Sequence, residues 1–248
     1  LAVGDTQSLF KCTGIKGVYF LVGGLLSVFV APFIGTLVGY VSTFIGWAAT
    51  QAPLVTGLAV SVVMGIALTL PISSAAICAG LVLTGSVIAQ GSSEGLAIAG
   101  GAAVAGCCAQ MVGFAVISFR DNGVGGLLSQ GIGTSMLQMP NIIRKPIIWL
   151  PPIIASALTG PLATCVFSMK MYGAAINSGM GTCGLLGPIG IILGWLDPAN
   201  GYPETVGVMD WLGIALICFI LPALISYTVY LPLRTLGLIK DGDMKLDK

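Results

Sequence analysis

Histidine is absent from the 248 residues, and Asp, Glu, Lys and Arg together make up only 8% of them. The first absence removes the commonest general base and a leading metal ligand. The second removes the solvated surface of an ordinary soluble domain, where about a quarter of residues are charged. Also missing are the GxxxxGK[ST] phosphate loop, any metal-ligand spacing and any nucleophile–base pair, so no cofactor, metal or chemistry within the chain is implied. Ten basic against nine acidic residues leave a formal charge of +1, with no basic cluster that would suit nucleic acid. The seven cysteines (Cys12, Cys78, Cys107, Cys108, Cys165, Cys183 and Cys218) fall mostly in apolar runs and form no CxxC pair. They read as small hydrophobes. The sequence starts at Leu1 without a signal-peptide pattern, and further sequence ahead of it is expected.

What is present is hydrophobic. Apolar residues make up 56% of the chain and the mean hydropathy is +1.01. Runs of the roughly 20 apolar residues that a helix needs to cross a bilayer recur, while the alternating segments of a barrel do not. The expectation is an all-α polytopic membrane protein, a single domain over residues 1–248 with lipid as its solvent.

Six runs read as crossings: residues 17–47, bent near Pro32 or Gly35, then 54–70, 75–89, 95–118, 146–167 and 211–231. Between the second and third, Pro71 stops one helix and a serine can cap the next. Two further stretches, 123–138 and 173–194, are rich in glycine and too broken for stable spanning helices. Positive residues favour the cytoplasmic side of short loops. If both broken stretches dip in and return, Lys11, Lys16, Arg120, Arg144, Lys145 and the 232–248 tail share that side. Glu94, Asp197, Glu204 and Asp210 then lie outside, and Lys170 alone dissents. Six transmembrane helices with two re-entrant hairpins fit best. Ser61, Gly65 and Thr69 recur at the same spacing as Ser156, Gly160 and Thr164. Such an echo suits an inverted repeat, though small residues at that spacing also arise freely in packed membrane helices.

Residues 107–141 concentrate the polar side chains that a membrane interior tolerates only where protein or water satisfies them. Gln110 lies in a Gly/Ala-rich run, suited either to bridging helices or to touching a solute. Arg120, Asp121 and Asn122 form the neck of the first broken stretch; the arginine either marks the cytoplasmic end of its helix or contacts solute. Asn122-Gly123 favours a tight turn. Ser135, Gln138 and Asn141 add neutral donors and acceptors, the groups that suit hydroxylated solutes. Asn177, with Ser178 and Thr182, is the comparable set in the second stretch. These candidates make residues 107–141 the expected lining of a solute site.

At LTLPISSAA (68–76), CCAQMVGFAVISFRDNGVGGLLSQGIGTSMLQMPNIIRKP (107–146) and GLIKDGDMKLD (237–247), the chain resembles the membrane-embedded IIC components of the sugar phosphotransferase system, in a single-domain branch. The resemblance implies a bacterial cytoplasmic-membrane protein, homodimeric, that carries a sugar while separate IIA and IIB proteins handle the phosphoryl group. Two departures stand out. Better-understood IIC carriers use a histidine and a glutamate in a short motif, and this chain has no histidine. The phosphoryl-carrying cysteine belongs to IIB, which nothing here resembles. The leading expectation is a carrier for a sugar or similar small polar solute. A carrier or channel without phosphorylation, and a sensor or scaffold that keeps the fold, remain as alternatives.

Overall fold

The computed structural model describes residues 51–83, 93–172, 174–196 and 206–246, together with 28, 32, 33, 35, 36, 39–41, 43–45, 47 and 48. The chain divides into two compact units, Leu1–Val41 and Ser42–Lys248. In the first unit the described residues are helical, and the Thr36 hydroxyl donates to the Pro32 carbonyl at 2.8 Å. In the second unit, residues 43–45, 47 and 48 are helical as well; the other residues of the crossing expected at 17–47 lie outside the described residues, as do Lys11, Lys16, Asp197 and Glu204.

Helix α1 (Pro53–Thr69) follows in the second unit, opened by a proline whose missing N–H is not needed in a first turn. It ends where Leu70 becomes extended ahead of Pro71. Ser73 Oγ then accepts the Ala76 amide at 3.2 Å and caps α2 (Ser74–Leu83), as the turn predicts. Helix α3 (Ser93–Ile117) is the centre of the unit, with Ala102–Ala105 and Cys107–Met111 essentially without exposure. Small residues bring its neighbours close. A Cβ on Gly106 would lie 1.9 Å from the Ser61 carbonyl oxygen of α1, and one on Gly101 would lie 1.9 Å from that of Met169.

The first glycine-rich stretch is more helical than its composition suggests. Helix α4 (Phe119–Leu128) is broken at Gly123 (φ 61°, ψ −155°), where the expected turn falls. A π-turn (Ser129–Gly133) and a 3-10 turn (Ser135–Gln138) follow. Local helical bonding survives the glycines although Val124, Leu128 and Ile132 are exposed; only the spanning continuity is lost. The basic segment after it is also helical, as α5 (Met139–Arg144), not the open loop that its charges suggest. A 3-10 turn (Pro146–Trp149) leads into α6 (Leu150–Pro161), which relaxes into a π-turn (Leu162–Val166) where Pro161 disturbs the ladder.

Helices α1 and α6 run antiparallel. Thr164 donates to the Pro53 carbonyl at 2.8 Å, Gly160 packs on Gly57, and Ser61 donates to the Ser156 carbonyl at 2.8 Å. Numbers rise on one helix as they fall on the other. Of these contacts only Ser61 with Ser156 joins echo positions on both helices; Gly57 and Pro53 lie outside the echo.

The second glycine-rich stretch holds a single turn, α7 (Ala175–Ser178), then a 3-10 turn (Cys183–Leu185) and α8 (Leu186–Leu196). Gly181 and Gly184 take φ of +54° and +53° between them. The last stretch is α9 (Val208–Ala215), a π-turn (Leu216–Ile220) and α10 (Leu221–Thr235). Gly237 (φ 71°) closes it, with its own amide on Arg234 O and that of Leu238 on Leu233 O.

Three helical stretches are long and apolar enough to cross a membrane: Gly95–Ile117, Pro146–Val166 and Val208–Thr235. Shorter apolar helices span Pro53–Thr69 and Cys183–Leu196, and no strand occurs among the described residues. This is an all-α polytopic membrane fold. Trp211 on α9, Phe219 in the π-turn, and Leu224 and Leu231 on α10 are exposed, an apolar face suited to acyl chains.

Candidate functional site

The two broken stretches meet each other against the middle of α3. Thr182 Oγ1 donates to the Gly131 carbonyl at 2.6 Å, joining the second stretch to the first. A Cβ on Gly181 would come within 2.7 Å of Cys107 and 2.9 Å of Cys108, so the second stretch lies directly on α3. Ser74 Oγ, at the start of α2, donates to Gly179 O at 2.6 Å and holds the same turn from the other side. Gly179, Gly181 and Thr182 are buried, so protein covers the irregular backbone at this junction.

Beside this junction lies a buried, uncharged node centred on Gln110. Its side-chain oxygen accepts from Thr69 Oγ1 of α1 at 3.3 Å and from Trp149 Nε1 at 3.2 Å. Its Nε2 donates to Ser156 Oγ of α6 at 3.4 Å. Thr69 Oγ1 also pairs with Ser135 Oγ of the first broken stretch at 3.1 Å. Gln110, Thr69, Ser135 and Ser156 are all fully buried. An amide nitrogen has two N–H groups, and Gln110 uses one, in a bond near the outer limit of hydrogen-bond length. The node therefore keeps spare donor capacity at a fully buried position. It has no nucleophile and no acid–base pair. Its chemistry is recognition of neutral groups that both donate and accept.

A second polar cluster sits at the far end of α3 and is filled by the C-terminal tail. The Asp121 carboxylate accepts the amides of Gly242 at 3.0 Å and Met244 at 3.1 Å. Asn122 Nδ2 donates to Met244 O at 2.8 Å, and its Oδ1 accepts from Leu246 N at 2.8 Å. Gln138 Nε2 reaches the same Met244 carbonyl at 3.0 Å, and Asn141 Nδ2 reaches Lys245 O at 3.1 Å. Lys145 forms an ion pair with Asp243. Burial acts to raise the Asp243 pKa, but the hydrogen bonds from Lys145 and the Lys240 amide outweigh it and hold the carboxyl below its ordinary value.

The expected site residues thus separate. Gln110 and Ser135 share the central node; Asp121, Asn122, Gln138 and Asn141 grip the tail. Arg120 is exposed, and its side chain makes no hydrogen bond or ion pair among the described residues. Asn177 is half-buried over Gly190, whose Cβ would lie 2.8 Å from that of Asn177. Sequence reasoning did not assign Thr69, Trp149 or Ser156 to the site, or weigh Gln130. Thr69 and Ser156 carried a signal, since both belong to the internal echo; Gln130 was a lone amide among glycines.

The family model described as "Phosphotransferase system, EIIC" matches residues 8–246 of the chain. No curated protein and no solved structure matches it.

Proposed function

The chain belongs to the phosphotransferase system EIIC family, and on that premise we propose that it carries a sugar or similar small, uncharged, hydroxylated solute across the membrane. The observation that carries this reading is the meeting of two broken stretches, Gly131 against Thr182, beside the buried Gln110 node. Transporters that alternate access commonly place their sites where discontinuous helices meet inside the membrane. A hydroxyl both donates and accepts, so it can use the free N–H of Gln110 and re-pair Thr69, Ser135 or Ser156 without leaving a charge unmatched. A charged solute finds no counter-charge among those side chains.

In this reading the tail and Lys145 face the cytoplasm of a bacterial cell, where separate IIA and IIB proteins supply the phosphoryl group and the carrier works as a homodimer. The shared position of the tail, Asp121 and Lys145 at one end supports placing both ends of the first broken stretch on one side. The test is a panel of hexoses, hexitols and disaccharides added to purified protein while Tm is followed. A ligand at a hundred times its Kd stabilises by about 2.7 kcal/mol, which for a chain of this size is roughly 5–10 °C. At least one member of the panel should produce such a concentration-dependent rise. A panel that leaves Tm unchanged throughout argues for a sensor or scaffold instead.

A further inference from the structure

We infer that residues 240–246 are a releasable clasp that sets the position of the first broken stretch. One tail carbonyl, that of Met244, accepts from Asn122 Nδ2 before the stretch and from Gln138 Nε2 after it. The two ends of the stretch are therefore bracketed by a single peptide unit from elsewhere in the chain. The bracket continues inward. Asn141 Nδ2 donates to Gln138 Oε1 at 2.8 Å, Gln138 Nε2 to Gln130 Oε1 at 2.9 Å, and Gln130 Nε2 to Ser118 Oγ at 2.7 Å. Gln138 uses both its N–H groups and its oxygen in these bonds, and it is fully buried. Its partner on one side is the tail and on the other is Gln130, one residue before Gly131, which meets Thr182. Movement of the tail is thus linked by consecutive hydrogen bonds to the junction of the two broken stretches.

The clasp is built to let go. Its buried anchors are the side chains of Ile239 and Met244, packed among Phe114, Ile117, Ile148 and Tyr230. Lys240, Asp241, Gly242 and Lys245 between and beside them are exposed. Gly237 and Gly242, at φ of 71° and 91°, have open space where a Cβ would be. A segment held by two apolar anchors, with the residues around them exposed, can open without global unfolding, and two such glycines supply the turning points. Release removes both acceptors on Met244 and Lys245 from Asn122, Gln138 and Asn141. The stretch then keeps its internal bonds, those to Ser118 and Asn141, and the contacts of Thr69 with Ser135 and Thr182 with Gly131.

The experiment is amide hydrogen exchange on the purified full chain, comparing wild type with Met244→Asp and the milder Asn122→Ala. It needs no solute, so its outcome is independent of the transport reading. With Met244→Asp, exchange in residues 240–246 and in 124–138 should rise together by about tenfold or more, while 53–69 and 95–112 stay near wild type. Asn122→Ala should give a smaller rise in the same two segments. Faster exchange of the tail with 124–138 unchanged overturns the coupling. Faster exchange throughout makes the tail part of the cooperative core and overturns the clasp, as does no change in either segment for both variants.

Discussion

Replacing Gly106 by alanine tests the helix spacing on which the Gln110 node depends. The new methyl carbon would stand 1.9 Å from Ser61 O and 2.5 Å from Ser61 C, both backbone atoms of α1. No rotamer relieves that contact, so α1 and α3 must separate by more than an ångström. A radial gap of about 0.5–1 Å already forfeits a quarter to a half of a van der Waals contact. Overpacking of this kind costs about 1–3 kcal/mol, partly offset by about 0.5–1 kcal/mol from replacing a helical glycine with alanine. The net expectation is a loss of about 1–2 kcal/mol, or roughly 2–8 °C in Tm for a chain of this length. Gly125→Ala is the control, since its Cβ would meet nothing within 4 Å. Thermal unfolding in one detergent should place Gly106→Ala clearly below wild type and Gly125→Ala at or above it. Equal melting of the two variants would refute the close approach of α1 and α3.

Acidification should loosen the tail. Because the folded-state pKa of Asp243 is lowered, its ion pair contributes fully above the ordinary carboxylate pKa of about 3.9 and is lost as pH falls through the lower folded value. Exchange protection of residues 240–246 should therefore hold from neutral pH down to the carboxylate range and fall below it, and Lys145→Met should remove that step. Topology is checked by cysteine labelling in intact cells. Lys145→Cys should resist an impermeant thiol reagent that Glu204→Cys accepts, measured against the wild-type background, and the reverse pattern would invert the orientation proposed here.

Much of the helical frame could be read from the chain because hydrophobic length and helix stops are local signals. Pro53, Pro71 and Ser73 mark the end of one helix and the start of another within a residue or two of where they fall. Gly123 marks the break in the first glycine-rich stretch for the same reason, a backbone angle that only glycine adopts easily. The helicity of residues 124–133 was hidden, because its glycines argue against helix one residue at a time, whereas the side-chain bonds that tie Gln130 to Ser118 and Gln138 join distant positions. The candidate site was legible in type but not in partnership. Gln110 and Asn122 look alike in sequence as buried amides of an apolar protein. Only the return of residues 242–246, more than a hundred positions later, assigns Asn122 to the tail and leaves Gln110 with Thr69 and Ser156. Ser156 drew notice through the echo, yet its bond to Gln110 crosses helices and follows no spacing rule within either one.

The central claim is that the buried node beside the two meeting stretches binds the solute. The most direct measurement is the Kd of the sugar or polyol that stabilises wild type, repeated on Gln110→Ala and Thr182→Val alongside their melting temperatures. Loss of one hydrogen bond to the solute weakens binding about five- to tenfold, equivalent to about 1–1.5 kcal/mol, while loss of one internal hydrogen bond costs about 1 kcal/mol of stability. Gln110→Ala should weaken Kd by at least that factor and, having lost its bonds to Thr69, Trp149 and Ser156, melt lower by about 6–12 °C. Thr182→Val, which frees the junction from Gly131, should weaken binding as well. Unchanged Kd in both variants, with the sugar still raising Tm as in wild type, would contradict it and place the solute elsewhere in the fold.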